Sequence, residues 1–155
     1  MNKNIIPRLQ LVDFAKNLKR KRKKIVFTNG VFDILHRGHV EYLIKAKSMG
    51  DILIVGLNSD ISVKRLKGKS RPIQNQIDRA VILLGLEAVD YVTIFSENTP
   101  QKIIELITPH VLAKGADYKI SEIVGADYVK QHGGIVKKIK LTKGRSSSKI
   151  INFLK

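Results

Sequence analysis

The sequence predicts an α/β fold: one doubly wound domain built on a parallel sheet. Three observations carry this expectation. Short apolar runs rich in β-branched residues alternate with segments whose apolar residues recur at helical spacing. The strand-like runs are continuously apolar rather than alternating, as happens when helices cover both faces of a sheet. The chain of 155 residues is long enough for one hydrophobic core and shows no linker, internal repeat or low-complexity tract.

Taken in order, Leu11, Ala15 and Leu18 predict a short amphipathic helix that leads into an unbroken basic run at 19–24. Residues 1–24 are expected to form an N-terminal helix and basic linker packing on a domain of residues 25–155. Residues 25–28 read as a buried strand that ends in the turn Asn29-Gly30. Val40, Leu43 and Ile44 follow at helical spacing, with Gly50 placed to stop the helix. Residues 52–57 are a second apolar strand, and the basic stretch after them is read as a flexible loop. Helices are expected at 77–84, at 100–107 with Pro100 near the first turn, around 122–132 ending at Gly133-Gly134, and at 147–154. Strands are expected at 91–94, 111–113 and 135–141. The alternation implies right-handed βαβ crossovers.

A formal charge of +16 is the unusual compositional feature. It fits an anionic partner, namely nucleic acid, a membrane surface or phosphorylated small molecules, but it fits a merely lysine-rich surface equally well. The basic run resembles a nucleic-acid patch, yet its place between a helix and a strand suits a solvated linker. The chain has no Trp and only 6% aromatic residues to stack on bases. No helix gathers Lys and Arg on one face as a groove reader does, so no nucleic-acid partner is expected. The absence of cysteine excludes disulfides, thiolate zinc sites and a cysteine nucleophile. The polar N-terminus and short apolar runs point to the cytoplasm, with no membrane partner.

In sheets of this kind ligands bind beyond the carboxyl ends of the strands, where strand order reverses. That directs attention to residues 28–39, 58–69, 96–99, 114–118 and 142–148. His36-Arg37-Gly38-His39 stands between the first strand and the next helix. Two imidazoles three apart at a helix start can project to one side, and Gly38 lets a ligand lie against the backbone. The helix N-terminus adds free N–H groups that favour phosphate. A metal site with Asp33 as third ligand lacks a convincing fourth, so no protein-bound metal is expected. Beyond the second strand, Lys64, Arg65 and Lys67 could grip phosphates, and Lys64 is favoured as nearest the strand end. In Lys114-Gly115-Ala116-Asp117-Tyr118, Gly115 permits close approach, and Asp117 could accept from a sugar or base or merely form an Asx turn. Ser146, Ser147 and Ser148 exceed what a helix cap requires and suit phosphates. Arg79 is read chiefly as a tie between its helix and a loop, with substrate contact as the second option.

The stretch from Thr28 through Asn29, Gly30, Val31, Phe32 and Asp33 to His39 resembles the signature of the cytidylyltransferase-like nucleotidyltransferases. Within them the sequence is most similar to the D-glycero-β-D-manno-heptose 1-phosphate adenylyltransferases. The segments at 58–60, 62–68, 71–72, 86–90, 99–100 and 114–118 carry that likeness, which runs in register from about residue 10 to the end. Such enzymes are usually met as the C-terminal half of a bifunctional kinase and adenylyltransferase of lipopolysaccharide biosynthesis. The resemblance implies a Rossmann-like nucleotidyltransferase domain that uses ATP with Mg²⁺ and releases ADP-heptose and pyrophosphate. It implies that His36 and His39 contact the reacting phosphates with Lys64 as a third catalytic group. Thr28, Asn29, Gly30, Phe32, Gly38, Lys114, Gly115 and Ser146 to Ser148 would serve the nucleotide, and Asp33, Asp117 and Arg79 the sugar phosphate. A homodimer is implied too, with the kinase step expected on another polypeptide. A CTP-using enzyme acting on glycerol 3-phosphate is the alternative. Three departures stand out: Val31 where the family often has cysteine, serines at 147 and 148 where it has threonines, and Arg145 where an uncharged residue is common.

Overall fold

The computed structural model describes residues 2–155. Five strands form one parallel sheet: β1 (Ile25–Gly30), β2 (Ile52–Asn58), β3 (Tyr91–Phe95), β4 (Val111–Gly115) and β5 (Ile135–Ile139), in the order β3-β2-β1-β4-β5. Among the described residues seven α-helices connect and flank them: α1 (Leu11–Arg20), α2 (Arg37–Lys47), α3 (Asp60–Lys67), α4 (Gln76–Leu84), α5 (Gln101–Ile107), α6 (Ala126–Gln131) and α7 (Ser147–Phe153). This is the expected doubly wound α/β architecture.

The side-chain alternation of the strands explains why their sequences are apolar throughout. Val26, Leu53, Val55 and Val92 point to one face, where they pack with Tyr42, Leu43 and Ala46 of α2 and Ala80 and Leu83 of α4. Ile25, Phe27 and Ile54 point to the other, against Leu11, Ala15 and Leu18 of α1, Ile103, Ile104 and Ile107 of α5, and Val129 of α6. Phe27, Leu53 and Leu112 are wholly buried, each stabilising the fold by roughly 1.5–3 kcal/mol relative to exposure. The basic run ends α1 and turns into β1. Within it Lys19 reaches back, its Nζ donating to the Ile107 carbonyl at 2.9 Å.

Four features depart from expectation. Residues 60–67, read as a flexible loop, form α3, because the Ser59 hydroxyl caps the helix by accepting from the Ser62 amide. The helix expected around 122–132 starts only at Ala126. Gly125 before it has φ +83°, and a Cβ there would meet the Ile104 side chain at 2.5 Å. The last strand ends at Ile139 rather than 141. At the far edge Ile5 bridges Val92 in parallel, so the N-terminal segment extends the sheet past β3. No helix among the described residues is long and apolar enough to cross a membrane.

Candidate active site

Strand order reverses between β1 and β4, the pair from which the chain winds outward in both directions. A cleft of about 520 Å³ opens there. Its walls come from the loop after β1, the start of α2, the end of α3 with Arg71, the loop after β4, and the turn into α7.

His36 occupies the N-cap position of α2 with an extended backbone, and its side chain makes no cap hydrogen bond. The first N–H groups of an eleven-residue helix are thereby left for a ligand. The His36 and His39 rings stack, with centroids 3.9 Å apart and planes 20° from parallel. A Cβ on Gly38 would lie 3.0 Å from the His36 ring, so any larger residue would crowd the imidazole where it folds over the turn. Phe32, at φ +46°, sets its ring edge-on to His39 with centroids 5.2 Å apart. The buried Nδ1 atoms of both histidines and the Oδ1 of Asn29 have no hydrogen-bond partner among the described residues. Buried polar atoms are seldom left so, and three of them around one cleft mark it as built for a polar ligand.

Electrostatics fixes the form of the pair. Burial, and then the neighbouring His36, lower the His39 pKa to about 4. Burial, and then the charge of Arg145, lower that of His36. At neutral pH the free site therefore holds uncharged imidazoles, able to donate N–H without bringing a charge of their own. For His39 the unfolded chain binds the extra proton between the ordinary pKa of 6.5 and about 4, whereas the folded chain does not. Stability is therefore lost as pH falls through that window. The expected result is a His39 resonance that stays neutral down to about pH 4, and an acid-induced loss of stability that shrinks in His39→Gln; titration near 6.5 in the folded protein would contradict it.

Most of the expected site residues converge on the cleft: Asn29, Gly30, Phe32, Asp33, His36, Gly38, His39, Lys114, Gly115, Asp117 and Ser146 to Ser148 all line it. Three do not, and two that were assigned to substrate binding serve other ends. Thr28 is wholly buried, with its hydroxyl 2.8 Å from Tyr42 Oη. Since Tyr42 donates to the Ala113 carbonyl, Thr28 donates to Tyr42, which ties β1, α2 and β4 together beneath the cleft. Lys64 lies on the exposed side of α3, and it is Lys67, one turn on, that reaches the cleft. Arg79 is 1% exposed and donates to the carbonyls of Gln74, Val31 and Asn58 and to the Asp60 carboxylate. With four of its five N–H groups engaged inside the protein, it is a structural tie. Asp33 lines the cleft, but its carboxylate accepts from Arg71 Nε at 2.7 Å and from the Ile73 and Gln74 amides. Burial alone would raise its pKa; those hydrogen bonds and the Arg71 charge outweigh it and lower the pKa below the ordinary value. Asp33 thus clamps the 68–75 loop onto the His-x-x-His loop instead of binding a sugar.

Across the cleft, Lys114 lays its ammonium over the Tyr118 ring, 5.6 Å from the centroid. A Cβ on Gly115 would strike Asp117 Oδ1 at 2.6 Å, so glycine gives that carboxylate its place. Ser146 caps α7 by accepting from the Lys149 amide, and Ser147 donates to the Ile34 carbonyl at 2.6 Å. Ser148 makes neither kind of contact and is exposed. Residues 96–99, one of the expected segments, do not reach the cleft; Ser96 Oγ donates to Ser59 Oγ and so braces the start of α3. Tyr42, Asn58, Arg71, Tyr118, Leu141, Thr142 and Arg145 line the site without having been assigned to it. Of these Tyr42 was within reach of pattern reasoning, being three residues beyond His39 on the inward face of α2. No cluster of three metal-ligating side chains occurs among the described residues, and Asp117 is the one lining carboxylate not already engaged. These residues form no cage for Mg²⁺, but they suit an ion that arrives coordinated by nucleotide phosphates and retains water.

The reversal of strand order and the chemistry gathered there place the chain among nucleotidyltransferases of Rossmann-like architecture. Residues 27–153 match the cytidylyltransferase-like family, and the chain belongs to that family. It is 56% identical over 147 residues to a protein of Wolinella succinogenes named bifunctional protein HldE, covering 95% of this chain and 30% of that one. A protein of the same name from Marinomonas sp. is 51% identical over 150 residues, with 97% of this chain and 32% of the relative covered. The chain thus spans about a third of the length of these curated relatives. Among solved structures it is similar to a lipopolysaccharide core biosynthesis protein from Thermoplasma volcanium GSS1, at 32% identity and a TM-score of 0.64, covering 79% of this chain and 99% of that one. A pantoate-β-alanine ligase from Francisella tularensis aligns with a TM-score of 0.59 at 17% identity over 93% of this chain and 69% of that one, a likeness of fold alone.

Proposed function

We propose that this chain transfers AMP from ATP to D-glycero-β-D-manno-heptose 1-phosphate, giving ADP-heptose and pyrophosphate for lipopolysaccharide or surface-glycan synthesis. The observation that carries the reading is the stacked, neutral His36–His39 pair, with unpartnered nitrogens, at the open start of α2. The choice of sugar and of adenine rests on the resemblance carried by the segments at 58–60, 62–68, 71–72, 86–90 and 114–118, and the neighbour named for lipopolysaccharide core biosynthesis supports the pathway. The same reading takes the enzyme as a cytoplasmic homodimer that works without nucleic acid or membrane.

The acceptor needs little activation. A sugar 1-phosphate has a second pKa near ~6 and is mostly dianionic at neutral pH, so no general base is required. Its phosphate oxygen attacks the α-phosphorus in line; the new P–O bond forms as the bond from the α-phosphorus to the bridging oxygen breaks, and pyrophosphate leaves with that electron pair. The obstacle is repulsion between two polyanions. Catalysis is therefore positioning and charge stabilisation. His36 and His39 donate to the equatorial oxygens of the α-phosphate, while the backbone at Gly30 and Gly38 allows the phosphates to lie close. Lys67 takes the part first assigned to Lys64, at the rim where the pyrophosphate departs. Mg²⁺, for which these side chains form no cage, would be held by the nucleotide phosphates and water and would supply neutralisation of part of their charge. Asn29, Lys114, Gly115 and Asp117 face the nucleoside and sugar, and Ser148 supplies a free hydroxyl.

The direct test is incubation with an NTP panel, Mg²⁺ and candidate sugar 1-phosphates, reading pyrophosphate release and the nucleotide sugar by mass spectrometry. ADP-heptose formed with ATP is the expected product. Preference for CTP, or turnover only with glycerol 3-phosphate, would overturn the assignment.

A further inference from the structure

Four basic side chains line the cleft: Lys67, Arg71, Lys114 and Arg145. Two have protein partners there. Arg71 is paired with Asp33, and Lys114 is spread over the Tyr118 ring beside Asp117. Lys67 sits exposed on the last turn of α3. Arg145 forms no ion pair among the described residues and is exposed. Its position is nonetheless tightly defined. A Cβ built on Gly38 would lie 3.3 Å from the Arg145 Cβ and 3.0 Å from the His36 ring, so the arginine Cβ and the imidazole both approach the same glycine. That glycine lies in the first turn of α2, which no side chain caps, and itself lines the cleft.

We infer that Arg145 is a phosphate ligand of this cleft, its guanidinium gripping the polyphosphate of the incoming nucleotide on the His36 side. This rests on the reading of the cleft as a nucleotide site. The physical need is plain: the two imidazoles donate hydrogen bonds without charge, so the positive charge beside them must come from a group that stays ionised. Arginine does so at any working pH and presents a planar fork matched to two phosphate oxygens. Its effect on His36 shows how near that charge lies, for it adds to burial in holding the imidazole neutral.

The test uses the intact protein with Arg145→Gln and Arg145→Lys, titrated calorimetrically with inorganic tripolyphosphate and with ATP, while the His36 resonance is followed by NMR. Loss of a charged hydrogen-bonding partner should weaken both ligands by about tenfold or more in the Gln variant. Lysine should restore only part of the loss, since it lacks the fork. In the free Gln variant the His36 pKa should rise, a change that general loosening of the exposed turn would not produce. Unchanged affinity for both ligands in Arg145→Gln overturns the inference, as does a wild-type protein that does not bind tripolyphosphate. The two proposals fail separately. Should no ADP-sugar be made while tripolyphosphate binding still depends on Arg145, the acceptor assignment falls and the phosphate ligand stands.

Discussion

His39→Ala should lower turnover by roughly 10²–10³ while leaving a folded protein, the usual consequence of removing one preorganised donor from developing phosphate charge. The size of the effect follows from burial. His39 is desolvated enough for its pKa to fall to about 4, and a donor held in such surroundings acts through a weaker dielectric than one in water. It is also pre-placed, between the His36 and Phe32 rings whose centroids lie 3.9 and 5.2 Å from its own, so no reorientation is needed when substrate arrives. The double variant with His36→Ala should lose much less than the product of the two single losses, because each ring positions the other. Steady-state pyrophosphate release together with a thermal melt reads both halves of this expectation. Near-normal turnover in a folded His39→Ala protein would sink the mechanism.

What was legible in the sequence was whatever repeats with a short period or depends on one local turn. The strands could be read because both faces of the sheet are covered, which leaves Ile25 to Phe27 and Leu53 to Val55 uninterrupted by polar residues. The His-x-x-His turn could be read because its chemistry lies within four consecutive residues. The helix α3 was hidden by its own composition: five of its eight residues are polar or charged, and its start depends on one hydroxyl, that of Ser59. That Lys67 rather than Lys64 lines the cleft has a related reason. Nearness to the strand along the chain became distance from the cleft once a helix carried the segment away. Residues whose partners lie far away in sequence were the least accessible. Asp33 was given to the substrate because an acid beside a histidine motif looks available, yet its partners are 38 to 41 positions away.

Arg79 holds more partners at once than any other of these ties, four in all, and its loss should be the most damaging single change to the fold around the site. Arg79→Ala would leave the Val31, Asn58 and Gln74 carbonyls and the Asp60 carboxylate without their donor in a spot where the arginine itself is 1% exposed. Breaking a buried charge network from one side costs about 3–5 kcal/mol, which for a chain of this size lowers the melting temperature by roughly 10 °C or more. Arg79→Lys should recover little, since one ammonium cannot reach acceptors spread around a planar fork. The damage should also reach the chemistry by a defined route. Val31 belongs to the loop before the histidines and Gln74 to the loop clamped by Asp33, so Arg79 fixes both walls at the His36 end of the cleft relative to the end of β2. Any Arg79→Ala protein that remains folded at low temperature should therefore bind nucleotide more weakly, although the arginine never touches it. Thermal denaturation and nucleotide titration at 10 °C separate the two effects. A melting temperature within 2 °C of wild type would mean that water replaces the guanidinium at those carbonyls, and the tie would then not be what holds the cleft in shape.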